Sequence, residues 1–162
     1  HEVGVHGYRH RVPALLGFRA TLRDVEATVK VLTDILQKRP RFYRPPWGIF
    51  NLWTGLAARR HSLIPVVWSL YVAEWSRATT AQSIYVDAMQ SARPGTVLLL
   101  RDASGPGSRP DAPAVVARAL PRLITGLRRR GLSLVSLSEL LAPMERGLPH
   151  APPGPNLGPS GP

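Results

Sequence analysis

Apolar residues recur at spacings of three and four from Leu22 through Val25, Val29 and Leu32 to Leu36, the period of an amphipathic helix. Thr21 with Asp24 resembles a capping box at its start, and Pro40 follows its expected end near Lys38. Ile64–Leu70 (IPVVWSL) is then a short, almost wholly apolar run, the pattern of a strand covered on both faces. Pro94-Gly95 introduces a second such run, Thr96–Leu100 (TVLLL), and Leu132–Leu137 (LSLVSL) is a third. Between these two, Asp111 to about Arg130 reads as a helix with Val116, Leu120, Leu123 and Leu127 on one face. Pro121 inside it predicts a kink or a break.

Strands alternating with helices indicate an α/β fold with parallel strands. A closed eight-unit barrel takes about 250 residues, so 162 residues with this few strands predict a partial, incomplete barrel. Residues 1–146 form the expected ordered unit. From Gly147 to Pro162 (GLPHAPPGPNLGPSGP) Pro and Gly dominate and periodicity ends, which predicts a disordered tail with an inert His150.

Composition narrows the class. A hydrophobic content of 44% suffices for one real core, and no apolar run approaches the roughly 20 residues that span a bilayer. Twenty-one Lys+Arg against ten Asp+Glu give a net charge of +11, which favours anionic partners: nucleic acid, a membrane surface or an acidic envelope polymer. The one tight cluster, Arg128-Arg129-Arg130, precedes Gly131 and reads as a helix C-terminal feature. No recognised DNA- or RNA-binding motif accompanies the charge, which disfavours nucleic acid. With no cysteine, disulfides and thiolate metal sites are excluded. The chain opens on His1 rather than Met, so an upstream segment is expected.

Candidate chemistry begins at once, in His1-Glu2-Val3-Gly4-Val5-His6-Gly7-Tyr8-Arg9-His10. His6 and His10 are four apart, and one helical turn would place both imidazoles on one side, as metal ligands require. Alone, that spacing is common and unspecific. Downstream lie Phe42-Tyr43-Arg44-Pro45-Pro46-Trp47-Gly48, where paired prolines stiffen the loop presenting the Trp47 amide, then Glu74-Trp75, then an apolar run into Leu99-Leu100-Arg101.

This ordered set resembles the NodB-homology polysaccharide deacetylases, carbohydrate esterase family four, over residues 1 to about 142. Residues 1–10 match that family's second motif apart from its first Gly, and Arg44-Pro45-Pro46-Trp47 is similar to the third. Glu74-Trp75 looks like the fourth, and Leu99-Leu100-Arg101 aligns with the fifth. The resemblance implies a distorted β/α barrel of the NodB type. It implies a divalent metal ion, zinc or a similar one, with His6 and His10 as its imidazole ligands. Arg44 would orient the catalytic base, Glu74 would tether Arg44, and the Trp47 N–H would stabilise the tetrahedral oxyanion. Leu99 would line the sugar groove, and Trp75 would either line it too or serve as an ordinary core aromatic. The implied substrate is an acetylated polysaccharide (peptidoglycan, chitin-like or exopolysaccharide), acted on in the cell envelope or outside the cytoplasm.

Two departures bear on activity. The family's first motif, a strand ending in Asp-Asp that supplies the base and a third ligand, has no counterpart, and no Asp-Asp pair occurs in the chain. Where the family has a leaving-group-protonating His, this sequence has Arg101, which cannot cycle a proton but can stabilise negative charge. The chain by itself is therefore expected to be inactive. Two readings stay open: a metal-dependent deacetylase, or a catalytically degenerate homologue that keeps the carbohydrate groove.

Overall fold

The computed structural model describes residues 1–74, 76–105 and 108–145. The expected tail, 147–162, and Trp75 lie outside the described residues. The first helix, α1 (Phe18–Leu36), buries Thr21, Val25 and Val29 and ends on Gln37, whose left-handed backbone (φ 50°) stops it. It starts before the expected capping box. Gly17 is the N-cap, and Thr21, now inside the helix, bonds back to the Gly17 carbonyl at 3.1 Å. Asp24 is spent elsewhere, on a loop that precedes the helix.

Strand β1 (Phe42–Tyr43) leads through a 3-10 turn at Pro46–Gly48 to helix α2 (Leu52–Arg60). Periodicity did not announce α2, but its cap is well formed. The Asn51 side chain accepts from Thr54 N at 2.9 Å while the Thr54 hydroxyl accepts from Asn51 N at 2.8 Å. Strands β2 (Ile64–Pro65) and β3 (Leu70–Tyr71) follow, then α3 (Ala81–Ser91), β4 (Leu98–Leu99), α4 (Ala112–Arg129) and α5 (Leu137–Glu145). All ladders among the described residues are parallel: β1 pairs with β2 (Phe42 opposite Ile64), β3 with β4 (Leu70 opposite Leu98), and Val5 bridges Tyr43.

The run Ile64–Leu70 is thus two strands rather than one. Its first residues pair with β1 and its last with β4, so the chain changes neighbours in mid-run. Neither piece is covered on both faces; Pro65 and Tyr71 are exposed. Leu132–Leu137 forms no strand. A strand exists only by pairing its N–H and C=O groups, and residues 132–136 find no ladder partner among the described residues. Leu134 and Val135 are exposed there, and Leu137 already begins α5. Pro121 breaks nothing: α4 runs through it, with Pro121 on the exposed side.

Two hydrophobic clusters hold the layers together. One joins α1 and α2 to the first sheet through Val5, Val25, Val29, Tyr43, Ala57 and Leu63. The other packs α3 and α4 on the second sheet through Val72, Ile84, Ala88, Val116, Leu123 and Leu127. Each fully buried Val, Ile or Leu contributes about 1.5–3 kcal/mol. Leu120, expected in that core, is exposed; Val115 and Ala119 take the inward positions instead. Arg130 closes α4 as expected of a helix end, donating to the carbonyls of Met89 and Ala92.

Candidate active-site cleft

The parallel bridge between Val5 and Tyr43 builds the centre of the site. Val5 N donates to Phe42 O at 2.8 Å and Arg44 N to Val5 O at 2.9 Å, which sets the chain segment carrying His6 beside the one carrying Arg44. His6 Nδ1 lies 2.6 Å from the Arg44 carbonyl oxygen. That carbonyl can only accept, so Nδ1 carries the proton and Nε2 keeps its lone pair free for a ligand role. Burial, partly offset by this hydrogen bond, lowers the His6 pKa below its ordinary 6.5, so the neutral imidazole dominates at neutral pH.

His6 and His10 do come together, with ring centroids 5.0 Å apart, but no helix does it. Residues 6–10 form a turn, with Gly7 at φ 82° and His10 at φ 49°. A Cβ on Gly7 would stand 2.9 Å from Asp24 Oδ2 and 3.1 Å from Pro46 Cγ. The turn is held from α1: the Asp24 carboxylate accepts the N–H groups of Tyr8 and Arg9.

On the other wall, Pro45 and Pro46 are buried and Trp47 is half exposed, at φ 61°. That left-handed backbone is costly for a tryptophan and persists because its surroundings fix it. Gly48 N donates to Pro45 O, Gly48 itself lies where a Cβ would strike the Trp68 ring at 2.5 Å, and the Trp47 ring sits 5.7 Å from His10. The Arg44 guanidinium lies over the Trp68 ring at 5.9 Å. Burial first, and then the Arg101 charge, pull the Arg44 pKa below its usual value. An open cleft of about 840 Å³ is lined by His6, His10, Arg44, Trp47, Trp68, Tyr71, Leu99, Arg101 and Asp102, among others.

Glu74 departs from expectation. It is fully buried, and its Oε1 accepts the Arg101 Nε–H at 2.7 Å rather than a bond from Arg44. Arg44 and Glu74 instead sit on separate sheets' strand ends, and Arg101, following β4, is the residue that β3–β4 pairing delivers to Glu74. The site therefore unites His6, His10, Arg44, Trp47, Leu99 and Arg101, with Glu74 buried behind Arg101. Asp24 and Trp68 escaped the sequence reading. Asp24 looked like a helix cap, and Trp68 like one more apolar position in a strand; neither carries a local signal of its contact.

Two imidazoles, one with its tautomer set by a carbonyl, suit two ligand positions of a zinc-like ion. Among the described residues no third His, Cys, Asp or Glu joins them. The described donor set accordingly fits half of a tetrahedral site.

The polysaccharide deacetylase family matches residues 1–65. A chitooligosaccharide deacetylase of Sinorhizobium fredii is 31% identical over 145 residues, 86% of this chain and 66% of that protein. Among solved structures, a family 4 acetyl xylan esterase from Clostridium thermocellum, in complex with a cobalt ion, superposes with a TM-score of 0.77 at 26% identity. That likeness covers 92% of this chain and 67% of the other. A carbohydrate esterase family 4 pseudoenzyme from Bacillus anthracis gives a TM-score of 0.73 at 21% identity, over 86% of this chain and 46% of that one. The chain spans between about a fifth and two thirds of the first curated relatives it matches. With a parallel α/β architecture shared with these structures, and the motifs around His6, His10 and Arg44 in one cleft, the chain belongs to the NodB-homology polysaccharide deacetylases, carbohydrate esterase family four.

Proposed function

We propose that this chain forms part of a metal-dependent hydrolase that removes acetyl groups from an acetylated polysaccharide: peptidoglycan, a chitin-like polymer or an exopolysaccharide. The observation that carries the reading is the convergence of His6, His10, Arg44 and Trp47 on one cleft, with His6 Nδ1 committed to a carbonyl. His6 and His10 would hold a divalent ion, zinc or a similar one. Bound there, such an ion polarises a carbonyl and lowers the pKa of water.

The remaining roles belong to the chain's own groups. Arg44, with its guanidinium 5.9 Å from the centre of the Trp68 ring, presents a fork able to orient a carboxylate. The Trp47 N–H, on a loop fixed by two prolines and a left-handed backbone, is offered to a developing oxyanion. Leu99 lines the cleft as an apolar wall for the sugar, and Trp75 has the same role by resemblance. Arg101 stabilises negative charge but moves no proton, because a guanidinium keeps its own. Relatives named peptidoglycan-N-acetylglucosamine deacetylase and chitooligosaccharide deacetylase support a glycan of the envelope or the cell exterior as the place of action. No helix among the described residues is long and apolar enough to cross a membrane.

A second reading has its own support. Arg101 stands where the family has its acid and is engaged by buried Glu74, an arrangement that suits a degenerate, glycan-binding homologue. Acetate release from N-acetylglucosamine oligomers, with zinc or cobalt added and with any flanking polypeptide present, separates the two. Turnover, raised by Arg101→His, supports the hydrolase. Oligosaccharide affinity without turnover, lost on Trp75→Ala, supports the binding homologue. Neither turnover nor affinity under any metal overturns both.

A further inference from the structure

The end of the molecule where α1 and α2 begin leaves large apolar side chains uncovered. Leu15 is 82% exposed, Leu52 66%, and Phe18 and Leu56 40% each. They belong to one patch. The Phe18 and Trp53 rings lie 5.8 Å apart, and Asn51 Nδ2 donates to the Pro13 carbonyl at 3.0 Å, so the turn entering α1 rests against the start of α2. Along α2 the open positions Leu52, Leu56 and Arg59 are spaced four and three, one stripe of a helix. Contiguous exposed apolar area of this kind marks an interaction surface rather than scattered surface leucines.

Among the described residues, the charge around it has one sign. Arg11, Arg19, Arg59 and Arg60 are exposed, and no Asp or Glu occurs anywhere in residues 3–23 or 35–73. Asp24 is occupied by the amides of Tyr8 and Arg9, and Glu26 acts on His61, at the opposite end of α2 from Trp53. Both helices also begin without an acidic residue in the first turn, so their positive dipole ends are left uncompensated.

These features select the occupant. A sugar chain needs hydrogen-bonding groups beside an aromatic face. Here the tips are leucines, and the one amide, Asn51, is consumed by Thr54 and Pro13. An anionic lipid surface offers all three things the patch lacks: an acyl boundary for leucine and phenylalanine, an interfacial layer for tryptophan, and phosphates for arginine. We propose that this face docks on an anionic lipid bilayer, Leu15, Phe18, Leu52 and Leu56 entering the headgroup boundary while Arg11, Arg19 and Arg59 meet the phosphates. Ile49 and Phe50, also exposed, link the patch to Trp47 at the cleft edge, so docking holds the cleft mouth beside the membrane. This inference is independent of the hydrolytic reading and stands or falls without acetate release.

Cosedimentation with phosphatidylcholine vesicles, with and without phosphatidylglycerol, tests it. The parent chain binds the phosphatidylglycerol vesicles and is released by salt. The pair Leu15→Ser with Leu52→Ser, which keeps every charge and alters only exposed positions, binds about tenfold more weakly. The pair Arg128→Gln with Arg129→Gln, at the far end of α4, binds almost as the parent does. Brominated lipid quenches tryptophan emission, and the quenching drops in Trp53→Phe, a readout that holds even if the leucine pair folds poorly. The proposal is overturned by absence of binding to phosphatidylglycerol vesicles. It is equally overturned by an α4 pair that loses as much as the leucine pair, which is diffuse charge. A leucine pair that instead dissolves a dimer, or abolishes binding of a soluble glycan, also overturns it.

Discussion

The Asp24 carboxylate, on the second turn of α1, accepts the Tyr8 N–H at 2.9 Å and the neighbouring Arg9 N–H at 3.2 Å. Both amides lie in the turn between His6 and His10, so a residue with no access to the cleft sets the spacing of the two imidazoles within it. Hydrogen bonds from backbone amides to an ionised acceptor are about twice as strong as neutral ones. Outer-shell partners of this kind typically change metal affinity about 10–100-fold when lost. Asp24→Ala is therefore expected to weaken zinc binding by a factor in that range, and Asp24→Asn, which keeps one acceptor oxygen, by less. A zinc titration against a chromophoric competitor reads both; parent-like affinity in Asp24→Ala would show that the turn holds without its clamp.

Gly7 and Gly55 should respond to alanine with opposite signs. At Gly7 the backbone is left-handed and the new Cβ meets Asp24 and Pro46 within 3.1 Å, so Gly7→Ala should cost about 1–3 kcal/mol. Gly55 sits inside α2 with open space around it, so Gly55→Ala should gain about 0.5–1 kcal/mol from helix propensity. Urea melts of the two variants beside the parent decide it.

Glu74 is wholly buried while the Arg101 side chain is 37% exposed. Removing the partner of a buried charge costs about 3–5 kcal/mol when both are dry; with Arg101 partly in water, Arg101→Ala should cost nearer 2 kcal/mol. The double change Arg101→Ala with Glu74→Gln should recover part of that loss, because no bare carboxylate is left behind. Chemical denaturation of the parent, Arg101→Ala, Glu74→Gln and the double variant measures the coupling; strict additivity would mean the pair contributes nothing.

His61 closes α2 with its Nε2 buried, and burial, outweighing the attraction of Glu26, lowers its pKa below 6.5. Its folded pKa thus lies under its unfolded one, so near and below pH 6.5 the unfolded chain takes up more protons. Stability from this group is complete above that pH and is lost as the pH falls through it toward the folded value. The melting temperature should fall with acidification over that window, and less steeply in His61→Asn. Equal slopes would assign the acid sensitivity to other groups.

Local pattern sufficed where neighbours along the chain make the decision. The apolar period of Leu22–Leu36 and of Val116–Leu127 found α1 and α4, because a helix satisfies its own backbone and shows its buried face every third or fourth residue. The motif order around His6, His10, Arg44 and Trp47 was equally legible, since residue type and spacing are sequence properties. Strand limits were not. Ile64–Leu70 splits and Leu132–Leu137 goes unpaired because a strand is decided by which edge lies beside it, and that edge comes from another part of the chain.

From the chain of letters alone came an α/β architecture, a basic surface and two histidines beside an Arg-Pro-Pro-Trp loop. Only the tertiary arrangement turned Asp24 from a cap into a clamp and gave Glu74 to Arg101 instead of Arg44. It also gathered Leu15, Phe18 and Leu52 into one exposed face. Groups 15 to 35 positions apart meet through packed helices and paired strands, and no period of two or 3.6 residues encodes which of them will touch.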